Sequence, residues 1–339
     1  MDVRFGVVGT SWIAASFVAA ARTVPGVAIA AVSSRSEASA DAFADEHGIP
    51  TRHVGLAALA ADPGIDAVYL ASPNAAHAEQ AIAMLEAGKA VLVEKPLATS
   101  AAEASAMIEV ATRTGRLLME AYVAPFEPNV AAIRDALPSL GPIRRVVFVK
   151  DQYSSKYDAL KAGELPNIFN PALAGGSLLD LAIYPVSLAL HLFGEPRSVL
   201  ATGIVLDPGA DGQGTILLGY PGFEVACLHS KIVPCAVPSE IAGELGVLTL
   251  DDCSVPTELT LHHRLGAPGE ATGPAFHRAS GWTESIAREQ CAHHMRYEIA
   301  HFAELVREGA AQSDVHPASR SLAALRILDE ARAQVFART

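Results

Sequence analysis

The feature that most constrains the fold is an alternation of apolar runs and helix-like segments through the first 122 residues. Apolar runs cover residues 3–8, 27–32, 65–71, 90–93 and 117–121. Segments with a helical spacing of apolar residues lie between them. Apolar strands that alternate with helices are typical of a parallel sheet covered on both faces. The sequence therefore predicts an α/β fold that begins with a doubly wound parallel sheet.

The turn after the first strand resembles a dinucleotide-binding turn with two substitutions. It reads Gly9-Thr10-Ser11-Trp12-Ile13-Ala14. Gly9 keeps the tight turn, while Ser11 and Ala14 stand where the second and third glycines usually do. The Ser11 hydroxyl can donate a hydrogen bond to a phosphate oxygen. An ordinary strand-to-helix turn is the alternative, but the repeated strand–helix context favours a dinucleotide. The expected contacts are Gly9, Thr10, Ser11, Trp12 and Ile13.

The end of the second strand indicates which nicotinamide cofactor is bound. The stretch reads Ser33-Ser34-Arg35-Ser36, and no carboxylate precedes Glu37. NAD-selective sites place Asp or Glu here for the ribose hydroxyls, whereas an arginine accommodates a 2′-phosphate. Ser34 and Arg35 are therefore predicted to bind that phosphate, and NADP is favoured over NAD. A solvated arginine at a helix start is the alternative.

Two later strands end in polar turns that share the same edge of the sheet. One turn is Ser72-Pro73-Asn74, with His77 beyond it, and the other is Glu94-Lys95-Pro96. Ligands bind beyond the carboxyl ends of parallel strands, and a proline moves the residue before it out of the helical region. All six polar-turn residues (Ser72, Pro73, Asn74, His77, Glu94 and Lys95) are expected at the cofactor. Helix capping by Asn74 and a structural His77 are the alternatives.

These motifs, in this order, resemble the glucose–fructose oxidoreductase/inositol dehydrogenase (Gfo/Idh/MocA) family. Further matching segments are Met119-Glu120-Ala121-Tyr122, residues 175–185, residues 239–243 and residues 297–302. The resemblance covers nearly the whole chain. Many relatives have histidine where this chain has Tyr184, and tyrosine there is similar to the branch of dimeric dihydrodiol dehydrogenases and NADP-linked aldose dehydrogenases.

The resemblance implies a Rossmann domain over residues 1–122 and a substrate-binding and oligomerisation α/β domain over residues 123–339, with a large, mostly antiparallel open sheet. After Tyr122 the strand–helix alternation stops, and β-like runs follow near 143–153, 199–206, 214–219, 223–229 and 247–250. Closing helices are expected near 284–307 and 319–336, and the Gly/Pro-rich stretch 265–281 is predicted to be a surface loop. By analogy with the family, the chain is expected to form a homodimer or a higher homo-oligomer.

The resemblance carries three catalytic residues over to this chain: Lys95, Asp180 and Tyr184. Tyr184 would be the general acid/base, and a lysine ammonium near a phenol that titrates near ~10 would favour its ionised form. Asp180 would orient the lysine or the substrate. Asp180 and Tyr184 are four residues apart and so share one helix face. Core packing of Tyr184 and a buried, paired Asp180 are the alternatives.

The expected activity is NADP-dependent hydride transfer between nicotinamide and a carbon of a sugar, polyol or cyclic diol. The candidate substrate contacts are Tyr122, Tyr153, Lys156 and Asn167. Proline stands at position 125, where many relatives have arginine, so the motif leaves the substrate open. An NAD-dependent glycoside hydrolase that works by transient oxidation and a non-catalytic NADP-binding regulator are the alternatives.

Composition excludes several kinds of partner. The net charge is −12 and no basic run occurs, which argues against nucleic acid and anionic membranes. The four cysteines lack C-x-x-C spacing and are read as reduced, which favours a cytoplasmic protein. The apolar stretch 178–193 contains Asp180 and His191 and is shorter than the roughly 20 residues of a membrane span. The sequence contains two His-His pairs, His262-His263 and His293-His294. Neither has partners at metal-ligand spacing, so no metal is expected.

Overall fold

A computed structural model describes residues 2–264 and 281–337. The predicted loop 265–281 lies outside the described residues, apart from Gly281. The chain divides into two compact units. The first contains residues 1–123 and 291–326, and the second contains residues 124–290 and 327–339. The predicted boundary at 122/123 places residues 291–326 in the second domain, whereas in the structure this segment packs with the first unit.

The strands and helices are numbered in chain order. The strands are β1 (Val3–Val8), β2 (Val27–Ser34), β3 (Thr51–Val54), β4 (Ala67–Leu70), β5 (Ala90–Glu94), β6 (Leu118–Ala121), β7 (Ile143–Asp151), β8 (Ser198–Val205), β9 (Asp211–Tyr220), β10 (Phe223–Ser230), β11 (Ser239–Gly243), β12 (Gly246–Leu250), β13 (Leu259–His263) and β14 (Thr283–Ser285). The helices are α1 (Trp12–Ala21), α2 (Glu37–His47), α3 (Leu56–Ala60), α4 (His77–Glu86), α5 (Ala101–Thr114), α6 (Pro128–Ala136), α7 (Tyr157–Lys161), α8 (Ile183–Phe193), α9 (Met295–Glu308) and α10 (Ala318–Phe336).

The first unit is built on a six-stranded sheet in the order β3-β2-β1-β4-β5-β6. All its strand pairs are parallel, which confirms the predicted doubly wound sheet. Every residue of β4 is buried, as expected for a strand covered on both faces. The Phe17 ring of α1 stacks on Tyr69 of β4, with centroids 3.7 Å apart. Helix α9 joins this core through Phe302, which contacts Phe5 of β1.

The second unit is built on an eight-stranded sheet in the order β14-β13-β12-β11-β7-β10-β9-β8. All neighbours are antiparallel except β7 and β10, which are parallel. The predicted large, mostly antiparallel sheet is therefore confirmed. The helix expected from residue 284 is wrong at its start: residues 283–285 form β14, and α9 begins only at Met295.

One helical stretch of the described chain, Pro171–Phe193, is long and apolar enough to cross a membrane by those two criteria alone. Its most apolar window is 72% buried inside the protein. Seven of the eleven residues from Ile183 to Phe193 are buried, among them Val186 and Leu188. This is the environment of a core helix in a globular unit.

Candidate active site

The turn after β1 has the geometry that a diphosphate requires. Gly9 has φ +103°, and a Cβ added there would lie 2.7 Å from the carbonyl oxygen of Ala71, so only glycine fits. Ser11 is the N-cap of α1, but its side chain makes no capping hydrogen bond. Its hydroxyl oxygen is buried and has no hydrogen-bond partner among the described residues. An unpartnered donor at a helix N-terminus fits an anionic group.

The other residues at the start of α1 also favour an anionic ligand there. The first turn of α1 carries no acidic residue, so nothing there repels a phosphate. Trp12 is 78% exposed at the first position of the helix. Large exposed indoles are unusual in a monomeric unit, and a bound dinucleotide offers such a ring a surface to cover.

The serines and the arginine at the end of β2 have different surroundings. Ser33 is buried, and its hydroxyl donates to the carbonyl of Gly55. Ser36 caps α2 by accepting from the backbone N–H of Ser39. Ser34 is half-buried, and Arg35 is exposed. The guanidinium of Arg35 has no ion pair within the described part of the chain, so it can receive a phosphate without breaking an existing contact.

His77 lies beneath two of the predicted turns. Its ring is fully buried; Nδ1 is 2.9 Å from the carbonyl oxygen of Pro96, and Nε2 is 2.9 Å from that of Ser72. Burial lowers the pKa of His77. Both ring nitrogens face main-chain carbonyl oxygens, so His77 supports the two turns from inside, and its contact with the cofactor stays a prediction. Ser72 itself donates to Gln80, and Asn74 begins a short 3₁₀ turn.

The turn that carries Lys95 is anchored on both sides. The Lys95–Pro96 peptide bond is cis, and Lys95 is half-buried. On one side, Tyr69 donates to the Glu94 carboxylate. Burial raises the pKa of Glu94 to about 7, although Tyr69 and the Lys95 charge act in the opposite direction. On the other side, the backbone N–H of Leu97 donates to Glu120 at 2.7 Å.

Glu120 on β6 is the fully buried anchor of that turn. Besides Leu97, it accepts hydrogen bonds from His316 (3.0 Å) and Ser321 (2.7 Å). Burial alone would raise the pKa of Glu120, but the His316 and Ser321 contacts outweigh it and hold that pKa below its ordinary value. His316 and Ser321 come from the late segment 291–326. The shape of the Lys95 turn therefore depends on residues about 200 positions beyond Glu120 in sequence.

In the second unit, the helix with Asp180 and Tyr184 starts from a pair of glycines. Gly176 has φ +139°, and a Cβ there would lie 2.2 Å from an oxygen of Asp211. The other oxygen of Asp211 accepts from the backbone N–H of Leu178 at 2.6 Å, and burial raises the pKa of this carboxyl. The first turn, Leu178–Ala182, is π-helical and contains Asp180, and α8 follows with Tyr184. Wide π turns occur often at functional sites.

Two lysines that the sequence reasoning missed contact these two residues. Lys231 makes an ion pair with Asp180. The ammonium of Lys150 lies 5.2 Å from the centre of the Tyr184 ring, and Lys150 also contacts Asp252 (2.5 Å) and Ser254 (2.7 Å). Burial alone would raise the pKa of Asp252, but the Lys150 charge and the hydrogen bonds from Lys150 and Ser254 together hold that pKa below its ordinary value.

The four predicted substrate contacts differ in their surroundings. The Tyr122 side chain is 1% exposed and packs against His316, so it lies in the core, and its contact with substrate stays a prediction. Tyr153 is exposed and donates to Asp158. Lys156 and Asn167 are also exposed. Within the described residues, no cluster of three or more His, Cys, Asp or Glu side chains forms a metal site.

Comparison with known proteins gives matches along the whole chain. The protein-family model "Oxidoreductase family, NAD-binding Rossmann fold" matches residues 3–122, and the model "GFO/IDH/MocA C-terminal domain" matches residues 137–249. The chain is 38% identical to scyllo-inositol 2-dehydrogenase (NADP(+)) IolU of Bacillus subtilis, across 98% of this chain and 97% of that one. It is 31% identical to human trans-1,2-dihydrobenzene-1,2-diol dehydrogenase, across 98% and 96%.

Solved structures share the fold at lower identity. The aldose-aldose oxidoreductase of Caulobacter crescentus has a TM-score of 0.84 and 22% identity, and the match covers 100% of this chain and 99% of that one. KijD10, a 3-ketoreductase of Actinomadura kijaniata crystallised with NADP and TDP-benzene, has a TM-score of 0.82 and 24% identity, with 99% and 98% covered.

Proposed function

The chain belongs to the Gfo/Idh/MocA family of oxidoreductases, and from that premise we propose an NADP-dependent dehydrogenase of ring alcohols. The proposed substrate is a six-membered carbocycle with two adjacent trans hydroxyls, either a cyclic polyol or a cyclic diol. The observation that carries this proposal is the full-length similarity to two enzymes whose named substrates share that feature. In scyllo-inositol every neighbouring pair of hydroxyls is trans, and the dihydrobenzenediol is trans by name.

NADP is the proposed cofactor because of the polar groups that follow the carboxyl ends of the first sheet's strands. The buried, unpartnered Ser11 hydroxyl and the amino end of α1 would hold the diphosphate. Arg35, with Ser34, would hold the 2′-phosphate, since no carboxylate stands at the end of β2. When bound, the nicotinamide supplies the hydride acceptor or donor for the reaction.

The chain's own residues would move the proton and stabilise charge. Tyr184 would accept the hydroxyl proton during oxidation and return it during reduction. Lys95 would stabilise the developing charge on the substrate oxygen. Asp180 would accept a hydrogen bond from the substrate's second hydroxyl and so orient the ring. A trans-diol offers one hydroxyl for the proton transfer and a neighbouring one for this contact.

A homodimer formed through the eight-stranded sheet is the proposed assembly. One face of β8 is buried through Val199 and Ala201, while Leu200 is 60% exposed and Ile204 is 48% exposed on the other face. Exposed apolar side chains in a sheet face favour association. An L200E substitution should shift the sedimentation coefficient towards the monomer value, and an unchanged coefficient would contradict this interface.

All four cysteines are free thiols, which supports the proposed cytoplasmic location.

The activity test uses matched pairs of substrates. The purified protein is incubated with NADP⁺ and scyllo-inositol, trans-1,2-cyclohexanediol, cis-1,2-cyclohexanediol, glucose or sorbitol, and reduced nicotinamide is followed by absorbance. Turnover of scyllo-inositol and of the trans-diol over the cis-diol is expected, and Y184F should abolish both. Turnover of glucose or sorbitol alone would overturn the ring-diol proposal. A nitrophenyl glycoside is assayed beside the panel, and its cleavage without net nicotinamide reduction would overturn the dehydrogenase.

A further inference from the structure

Lys231 places a buried positive charge behind a partly exposed carboxylate. Its side chain is 1% exposed, while that of Asp180 is 34% exposed. The ammonium contacts Asp180 Oδ2 and lies 5.7 Å from the centre of the Phe169 ring. A buried ammonium is costly unless it is paired. The carboxylate therefore has one side on a fixed cation and another side that reaches solvent.

The backbone of Lys231 is held in place by contacts that do not involve Asp180. The backbone N–H of Lys231 donates to Gly212 at 2.8 Å, and its carbonyl accepts from Ser154 at 2.9 Å. Just before it, the Ser230 hydroxyl accepts from the N–H groups of residues 232 and 233. These contacts fix the main chain from which the side chain starts, and burial of the side chain restricts its rotamers.

We infer that Lys231 is a positioning residue, which orients the Asp180 carboxylate and keeps it ionised for the substrate contact. This inference rests on the proposed function, because it takes Asp180 to be a substrate contact. Lys231 itself is too deeply buried to touch a substrate. It differs from Lys95, which is assigned to the reacting oxygen, because it acts only through Asp180.

The partial exposure of Asp180 makes the inference testable by substitution. In K231M the methionine can fill the apolar space near Phe169, and water can reach the side of the carboxylate from which the ammonium is removed, since Asp180 is 34% exposed. The fold therefore loses less than it would if both groups were buried. A positioning role predicts a roughly 10- to 100-fold fall in kcat, as for other groups that orient a catalytic residue. The acid limb of the kcat profile should move to higher pH, because the carboxylate now takes up a proton more readily.

A double-mutant cycle separates action through Asp180 from any other role. The variants are K231M, K231R, D180N and D180N/K231M. The expected results are that K231R retains most of the activity lost in K231M, and that D180N/K231M is no slower than D180N alone. The matched control is K89M, which removes another buried lysine whose ammonium donates to the carbonyls of Asp62 and Ile65. K89M should lower the melting temperature without moving the pH profile.

A second readout does not depend on turnover. The Asp180 carboxyl carbon, labelled with carbon-13 and assigned by its loss in D180N, is titrated by NMR in wild type, K231R and K231M. The midpoint should rise in K231M and stay near wild type in K231R. If midpoint and profile are unchanged in K231M, Lys231 is structural and the inference fails. If the midpoint rises but D180N leaves turnover unchanged, the positioning stands and the role of Asp180 in the proposed function fails.

Discussion

Arg35 should set the preference for NADP over NAD, and the R35A substitution tests this directly. The arginine is exposed and has no ion pair within the described residues, so its removal should not disturb the fold. A 2′-phosphate carries a charge near −1.5 to −2 at neutral pH. NAD has no group there, so the two cofactors should respond differently to the same change.

The magnitude follows from the exposure of the site. Two unit charges 4 Å apart interact by ~1 kcal/mol in water and ~4 kcal/mol near a protein surface. An exposed arginine belongs near the lower value, and the phosphate charge roughly doubles it. A loss of about 2 kcal/mol is expected, which is roughly 30-fold in the Kd of NADP⁺. The loss should shrink as salt is added, because exposed charges are screened over ~8 Å at physiological ionic strength.

Calorimetric titration with NADP⁺ and with NAD⁺ measures the effect. The control is R113A, which removes an exposed arginine that pairs with Glu86 from the last turn of α5. Helices that connect parallel strands run away from the carboxyl edge, so Arg113 lies at the opposite edge of the same sheet. An NADP⁺ affinity within threefold of wild type would refute the assignment. An equal loss for both cofactors would show that Arg35 acts on the shared part of the molecule.

Three further substitutions test the turn that carries Lys95. K95M should lower kcat roughly 10³-fold, since it removes charge stabilisation at the reacting oxygen; NADP⁺ affinity by titration should stay nearly unchanged, and undiminished turnover would contradict the assigned role. Glu94 has a raised folded-state pKa of about 7. The stability that it contributes is therefore complete below its unfolded-state pKa near ~4.3 and is lost as pH rises through about 7. E94Q should flatten the fall in melting temperature between these two pH values, and parallel curves of melting temperature against pH for E94Q and wild type would contradict the raised pKa. E120Q replaces one acceptor oxygen with an NH₂ group that faces donors, and should cost about 2 kcal/mol; its melting temperature should fall below that of the exposed control E86Q, and equal values would show that the anchor is dispensable.

The first sheet could be predicted because its central strands are buried on both faces. Such strands read as continuous apolar runs, and the run that forms β4 is buried at every position. The edge strand β3 was missed because its four residues alternate between half-buried and exposed. A strand of that length and pattern looks like a loop.

The packing of residues 291–326 could not be predicted from the sequence. Helix α9 is plainly amphipathic, with Ile299, Phe302 and Ala303 buried. An apolar face indicates that a helix is covered, but it contains no information about which unit covers it. The contacts of Glu120 with His316 and Ser321 could therefore not be predicted from the sequence, although Glu120 lies within a motif that matches the family.

Lys150 and Lys231 illustrate the same limit at the candidate site. Each stands at the end of an apolar strand, as Lys95 does, so the local signal was present. The rule that strand ends share an edge holds for parallel strands, and it fails in an antiparallel sheet, where successive strands end on opposite edges. Within the second sheet only β7 and β10 run parallel, and their register pairs Lys150 with His229, two residues before Lys231. That pairing joins strands about 80 residues apart. The two lysines are therefore brought to one edge, beside Asp180 and Tyr184, by topology that no local pattern encodes.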